Sequence, residues 1–173
     1  MINDLFSKPA EYTIDSSSLM DIFNGTGWSS KEVTPGLWAN VLDLIKQGII
    51  ISHVEVLLEI KTDGKKGIEL YDWAQKNKSI FQDYNLIAEG KILRTMSPKF
   101  SSFVNAKIGS VHADPWLIAQ AKHEGLKIIT EERYTVSLKP SKWTIPNICK
   151  DSSYNVGCLD LLGLSKERGW TFR

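Results

Sequence analysis

Acidic side chains stand where the sequence predicts that strands and helices begin or end. Asp15 follows a predicted strand over residues 11–14, and Asp114 opens a predicted helix. Glu131 and Glu132 follow the short apolar run after that helix. Carboxylates gathered at one place raise one another's pKa or require a cation that offsets their charge.

A hard divalent cation is the partner that such a set of acids predicts. Mg²⁺ and Mn²⁺ take oxygen ligands without histidine, and they can hold a water molecule beside a phosphate oxygen. Glu55 and Glu59 share the polar side of a predicted helix over residues 54–61 and add an acid to the set. The pattern therefore favours metal-dependent hydrolysis of a phosphodiester.

Each of these polar residues also has an ordinary structural interpretation. Asp15 and Asp114 are favoured N-cap residues for the helices near them. Glu55 and Glu59 fit a solvated helix face, and the acids after the last apolar run fit a surface turn. The serines at 16–18 could support a water molecule, although the start of a helix is their commoner place. Spacing alone leaves these alternatives open.

Other catalytic patterns receive little support from the sequence. The histidines, His53, His112 and His123, lack a metal spacing such as HExxH, and no Walker loop or GxGxxG is present. The two cysteines, Cys149 and Cys158, lack CxxC spacing, so free thiols are the expected state.

Basic side chains near the predicted acids form a candidate phosphate-binding set, with solvated surface cations as the alternative for each one. They are Lys61, Lys65, Lys66, Arg133, Lys139 and Lys142. Four tryptophans are expected to pack in the core or at its edge rather than to stack on bases. They are Trp28, Trp38, Trp73 and Trp116.

The order of strand-like and helix-like segments predicts the fold class. Strand-like segments cover residues 11–14, 48–51, 126–130 and 143–149. Helix-like segments cover residues 16–23, 37–45, 54–61, 68–77, 81–93, 114–124 and 159–168, and residues 94–110 are expected to hold a further helix between loops. This order predicts an α/β protein, a three-layer α/β/α sandwich with a mainly parallel central sheet.

A mainly parallel sheet also predicts where a site would form. Ligands bind beyond the carboxyl ends of such strands, where Asp15 and Glu132 are both expected. Asp114 begins the helix that leads into the second of these strands. The acids are therefore expected to converge.

Length and composition predict one domain over residues 1–173. Hydrophobic residues make up 42% of the chain and charged residues 24%, which excludes extensive disorder. No apolar run is long enough to span a membrane, and no secretory signal is visible, so a cytoplasmic protein is expected. The formal net charge of +1 neither requires nor excludes a nucleic-acid partner.

Several segments together resemble the PIN-like domain family, which includes the Mg²⁺-dependent VapC-type ribonuclease toxins. YTIDSSSL (12–19) resembles its first strand and leading Asp, and EVLLEI (55–60) resembles the helix with its second acid. ADPWLIAQAKHEGLKIITEE (113–132) is similar to its acid-led helix and the strand that ends in Thr-x-acid. PGLWANVLDLIKQGIIIS (35–52) and IPNICKDSSYNVGCLDLL (145–162) resemble a stand-alone subgroup.

This resemblance implies both a site and an activity. The implied metal ligands and catalytic residues are Asp15, Glu59, Asp114 and Glu132. Glu59 is preferred to Glu55 because the acid of the family follows an apolar pair, and Glu131 is the alternative to Glu132, where many relatives carry Asp. Mg²⁺ or Mn²⁺ would activate water for cleavage of RNA. The commonest role so implied is the toxin of a toxin–antitoxin pair, with an antitoxin protein as partner and a homodimer as assembly.

Two other functions stay open at the level of sequence. A catalytically silent PIN-like module would use the same fold to bind RNA or a protein. A receiver-like signalling domain would use Asp15 at the end of its strand, but the sequence lacks the paired acids and the clear lysine partner of that class.

Overall fold

The computed structural model describes residues 9–62, 67–107, 112–137, 139 and 142–172. The strands are β1 (Tyr12–Ile14), β2 (Ile50–His53), β3 (Phe81–Gln82), β4 (Lys127–Ile129) and β5 (Cys158–Leu159). The α-helices are α1 (Ser16–Asn24), α2 (Pro35–Lys46), α3 (Val54–Thr62), α4 (Ile68–Lys76), α5 (Ala88–Lys107), α6 (Asp114–Glu124), α7 (Ile145–Cys149) and α8 (Leu161–Glu167). A 3₁₀ turn, Lys78–Ile80, precedes β3.

The strands form one parallel sheet in the order β3-β2-β1-β4-β5. Tyr12 of the central strand β1 pairs with Ile50 on one side and with Lys127 on the other. Helices cover both faces of the sheet, as crossovers between parallel strands require. The predicted three-layer α/β/α sandwich is therefore confirmed, with every strand pair parallel.

The connections between strands and helices explain how the sheet edge is built. The chain passes from β2 into α3 without a loop, and from β1 into α1 through Asp15 alone. Gly125 ends α6 with a left-handed φ of 73°, a conformation that favours glycine, as the sequence predicted. Short connections of this kind fix each helix start relative to its strand.

The predicted helix over residues 81–93 is wrong in its first part. Phe81 and Gln82 form β3 beside β2, and α5 begins only at Ala88. The sheet overrides local helical character here, because β2 offers an unpaired edge and Phe81 is buried against it.

The predicted strand over residues 143–149 is also wrong. Residues 145–149 form α7, and β5 lies later, at Cys158–Leu159. Thr144 and Asn147 form a reciprocal capping box, and Pro146 stands in the first turn. The β-branched residues suggested a strand, whereas the capping residues determine a helix.

The core contains apolar residues from all five strands and from helices on both faces. Phe23 packs against Trp38 and Trp73 with ring centroids 5.0 and 5.5 Å apart, so two of the tryptophans pack as predicted. Trp28 is exposed. Within the described residues, no helix combines the length and the apolar character needed to cross a membrane.

Candidate metal centre

Asp15 is a buried carboxylate at the carboxyl end of the central strand. Only 2% of its surface is exposed. It caps α1, because its Oδ1 accepts the Ser16 N–H at 2.7 Å and its Oδ2 accepts the Ser17 N–H at 3.4 Å. The Ser17 hydroxyl also donates to Oδ2, at 2.6 Å. The predicted capping role is therefore confirmed, and it holds the carboxylate in one orientation at the sheet edge.

Glu59 reaches the same region from α3. The Ser16 hydroxyl donates to Glu59 Oε2 at 3.0 Å, so one serine links this acid to the first turn of α1. The start of α3 is fixed by His53, whose Nδ1 accepts the Glu55 N–H at 3.1 Å. Glu59 lies one helical turn beyond Glu55 on the same face.

Asp114 is the first residue of α6, and Ala113, rather than Asp114 itself as predicted, occupies the N-cap position. The Asp114 side chain is 5% exposed. A carboxylate in the first turn is favoured by the partial positive charge of the helix start. The helix is fixed on the sheet by a buried hydrogen bond of 2.8 Å from the Thr13 hydroxyl to Gln120 Oε1.

The charges of these three acids reach one another. Burial, together with the negative charges of Asp114 and Glu59, raises the pKa of Asp15 to about 6 against the opposing hydrogen bonds from Ser17 and Ser16. The pKa of a carboxylate rises when burial removes it from solvent and when other negative charges lie nearby. Asp114 and Glu59 therefore each lie within electrostatic reach of Asp15, which brings three of the four predicted site residues to one region.

Thr130 is the threonine of the Thr-x-acid segment, to which the sequence assigned no role of its own. It follows β4 directly and is 2% exposed. Its hydroxyl donates to Asp15 Oδ2 at 3.1 Å and accepts the Glu132 N–H at 3.2 Å. The pairing of β1 with β4 places it beside Asp15. A threonine at the end of a predicted strand, next to the acids, is the signal that could have identified this role.

The two acids after β4 hold the starts of two helices. Glu132 Oε2 accepts the Ile145 N–H of α7 at 2.8 Å, and Glu131 Oε1 accepts the Leu161 N–H of α8 at 2.7 Å. Both contacts use the unpaired N–H groups of a helix start. The structure thus gives each of these residues a positioning contact, and the role of Glu132 as a fourth ligand stays a prediction.

Glu55 belongs to a neighbouring cluster. The Tyr84 hydroxyl donates to Glu55 Oε1. Tyr84 and Trp116 pack around the His53 ring, with Trp116 stacked on it at 5.9 Å between centroids. His53 is fully buried, its Nε2 lies 3.3 Å from Glu89 Oε2, and burial lowers its pKa to about 4. Because Nδ1 accepts the Glu55 N–H, the neutral ring carries its proton on Nε2.

The structure describes four of the six candidate phosphate-binding cations. Lys61, Arg133, Lys139 and Lys142 are exposed, whereas Lys65 and Lys66 lie outside the described residues. Lys61 lies in the last turn of α3, the helix that carries Glu59. Arg133 directly follows Glu132 in the chain. Both cations are therefore accessible to an anionic ligand near the sheet edge.

The three converging acids fit a hard cation by the chemistry of their donors, because carboxylate oxygens are the ligands that Mg²⁺ and Mn²⁺ prefer. Beyond the effect of burial, the charges of Asp114 and Glu59 raise the pKa of Asp15, so negative charge accumulates there. Within the described part of the chain, however, no group of three or more aspartate, glutamate, histidine or cysteine side chains is arranged so that it could hold a metal ion as it stands. Glu59 Oε2 accepts the Ser16 hydroxyl, which holds this carboxylate beside the start of α1.

Comparison with known proteins gives one match. No curated protein and no solved structure is similar enough to count as a relative. A family model described as a domain of unknown function, DUF4411, matches residues 12–172. This range contains all five strands and every acid of the candidate centre. The chain belongs to the DUF4411 family.

Proposed function

We propose that this protein is a PIN-like, metal-dependent endoribonuclease. The observation that carries the proposal is the convergence of Asp15, Glu59 and Asp114 at the carboxyl end of a parallel sheet, where two of the charges raise the pKa of the third. Such crowding costs free energy in an unliganded protein and is relieved when a cation binds. Relief of this crowding is the physical reason for proposing a bound cation.

The chain's own residues have distinct duties in this proposal. Asp15, held by the α1 N–H groups and by Thr130, is the fixed ligand, and Asp114 is the second. Glu59, which the Ser16 hydroxyl holds near the start of α1, would be the third ligand. When bound there, Mg²⁺ or Mn²⁺ would lower the pKa of a water molecule and offset the negative charge of a phosphate. Glu132 would add a fourth carboxylate.

The substrate class and the biological role rest on the PIN-like resemblance. RNA is the proposed substrate, and the exposed Lys61 and Arg133 are suited to its phosphates. The same resemblance supports a toxin that is restrained by an antitoxin protein, in a cytoplasmic setting and with a homodimer as the assembly.

Degradation of structured RNA by the purified protein tests the activity. We expect cleavage with Mn²⁺, its loss in EDTA, and its loss in Asp15→Asn and Asp114→Asn. Asp72→Asn, an exposed change on α4, is the matched control and should cleave as the wild type does. Cleavage that persists in EDTA or in both site variants would contradict the proposal.

A catalytically silent module that binds RNA or a protein is the second candidate. It is favoured by the contacts of Glu131 and Glu132, which hold the starts of α8 and α7. Calorimetry separates the two functions. RNA binding without any Mn²⁺ binding would support the silent module, whereas Mn²⁺ binding that requires Asp15 would exclude it.

A further inference from the structure

The chain's two cysteines meet between α7 and β5. Cys149 is the last residue of α7, Cys158 is the first residue of β5, and these two elements pack together. Both thiols are free. The two thiols are near enough to shift each other's pKa, so folding brings the cysteines together across the intervening loop.

The two thiols differ in their access to solvent. Cys149 is buried, with 8% of its surface exposed, whereas Cys158 is half-buried. Cys158 also lines a cavity of about 230 Å³ together with Arg133, Pro146 and Leu159. A small oxidant can therefore reach Cys158 through the cavity, with Cys149 adjacent on the inner side.

We propose that Cys149 and Cys158 are a redox modification site that forms a reversible disulfide in the presence of a hydroperoxide. The inference rests on the packing of α7 against β5, which brings the two cysteines together, and on the cavity that Cys158 lines, and it does not depend on the nuclease proposal. The disulfide would join α7 to β5 and close the loop over residues 150–157.

The chemistry has two steps. The Cys158 thiolate attacks one peroxide oxygen, the O–O bond breaks, and water or an alcohol leaves, so that Cys158 becomes a sulfenic acid. The Cys149 sulfur then attacks the Cys158 sulfur, an S–S bond forms as the S–O bond breaks, and the Cys149 proton leaves with the hydroxide as water. Each sulfur loses one electron, and the peroxide gains both.

Local charge agrees with this order of events. The hydrogen bond from Cys149 and the charge of Lys150 lower the pKa of Cys158 to about 7 against the effect of burial. The same hydrogen bond and burial raise the pKa of Cys149. Because the thiolate is the attacking form, Cys158 is the first thiol to react and Cys149 is the resolving thiol.

The disulfide would lie beside residues of the candidate centre. Glu132 holds the first residue of α7, and β5 pairs with β4, which leads to Thr130. Linking the end of α7 to β5 would therefore fix the segment that Glu132 contacts.

Treatment of the full chain with one equivalent of hydrogen peroxide tests the proposal. Free thiols are counted with Ellman's reagent, and peptides are mapped without reduction. We expect both thiols to disappear together, a linked Cys149–Cys158 peptide pair, and full recovery of the thiols with dithiothreitol. Thiols that persist, or irreversible oxidation of Cys158 alone, would overturn the proposal.

Two variants test the order of the steps. In Cys149→Ser, the sulfenic acid on Cys158 should persist and be trapped by dimedone. In Cys158→Ser, the buried Cys149 should keep its thiol under the same treatment. Reaction of Cys149 in that variant at the wild-type rate would contradict the assigned order. The wild-type measurement needs neither variant, so a folding defect in one of them leaves the main test intact.

Discussion

The Ser16 hydroxyl donates a hydrogen bond of 3.0 Å to Glu59 Oε2, and it thereby joins the first turn of α1 to the middle of α3. The same residue gives its backbone N–H to Asp15. One serine thus contacts two of the three converging carboxylates. It neutralises neither of them, because a hydroxyl and an amide supply only partial charges.

Replacing Asp15 by asparagine should stabilise the metal-free protein near pH 8. The folded-state pKa of Asp15, about 6, lies above its ordinary value of 3.8, so the folded state binds more protons between these values and stability falls as pH rises through them. Asparagine also caps helices well. We expect a gain of about 1–2 kcal/mol in the free energy of unfolding in EDTA. A loss of stability under these conditions would contradict the assigned charge repulsion.

Replacing Ser16 by alanine should lower stability by about 1 kcal/mol through loss of its side-chain hydrogen bond. It should also weaken Mn²⁺ binding several-fold if Ser16 helps to hold Glu59 near the centre. Ser18→Ala is the matched control, since the buried Ser18 Oγ has no hydrogen-bond partner within the described residues. Chemical denaturation and Mn²⁺ titration of both variants give the comparison. Equal effects of the two changes would show that the contact with Glu59 is unimportant.

Glu132→Gln should reduce Mn²⁺ affinity by less than Asp114→Asn does. Glu132 Oε2 already accepts the Ile145 N–H, and glutamine can keep that bond through its amide oxygen. Glu131→Gln is the control, because Glu131 accepts the Leu161 N–H at the start of α8 and so makes the equivalent contact with a different helix. Calorimetric titration of the variants ranks them. A complete loss of binding in Glu132→Gln would make it a full ligand, and a larger effect of Glu131→Gln would exchange the two roles.

Acid should destabilise the protein through His53. Burial lowers the folded-state pKa of His53 to about 4, below its ordinary 6.5, so stability is retained above pH 6.5 and declines as pH falls through this window. The contribution amounts to up to about 3 kcal/mol. His53→Asn should flatten the decline between pH 6.5 and 4, and the exposed His123→Asn should leave it unchanged. Identical pH profiles for wild type and His53→Asn would refute the assignment.

The sequence predicted the elements whose start signals and periodicity agree with the final packing. α1 after Asp15, α3 after β2, and α6 with its stop at Gly125 are of this kind. The sequence did not predict β3, because a strand of two residues shows no periodicity and forms only by pairing with the free edge of β2. The segment of α7 was predicted as a strand because its apolar residues resemble one, although Thr144 and Asn147 already indicated a capped helix.

The candidate site was predictable to the same depth. Asp15 was identified by its place at the end of a predicted strand, and Asp114 by its place at the start of a predicted helix, and both are buried. The links that hold them were not predictable, because the bond from Thr13 to Gln120 and that from Thr130 to Asp15 span residues more than a hundred positions apart. Such pairs become neighbours only through the register of the sheet. A single sequence does not specify that register.

Calorimetric titration of Mn²⁺ into the purified protein at neutral pH tests the central assignment most directly. The wild type should bind Mn²⁺ saturably, Glu59→Gln and Asp114→Asn should lose binding, and Glu55→Gln, which changes the neighbouring acid of the same helix face, should retain it. Absence of binding by the wild type, or loss of binding in Glu55→Gln with retention in Glu59→Gln, would contradict the assignment.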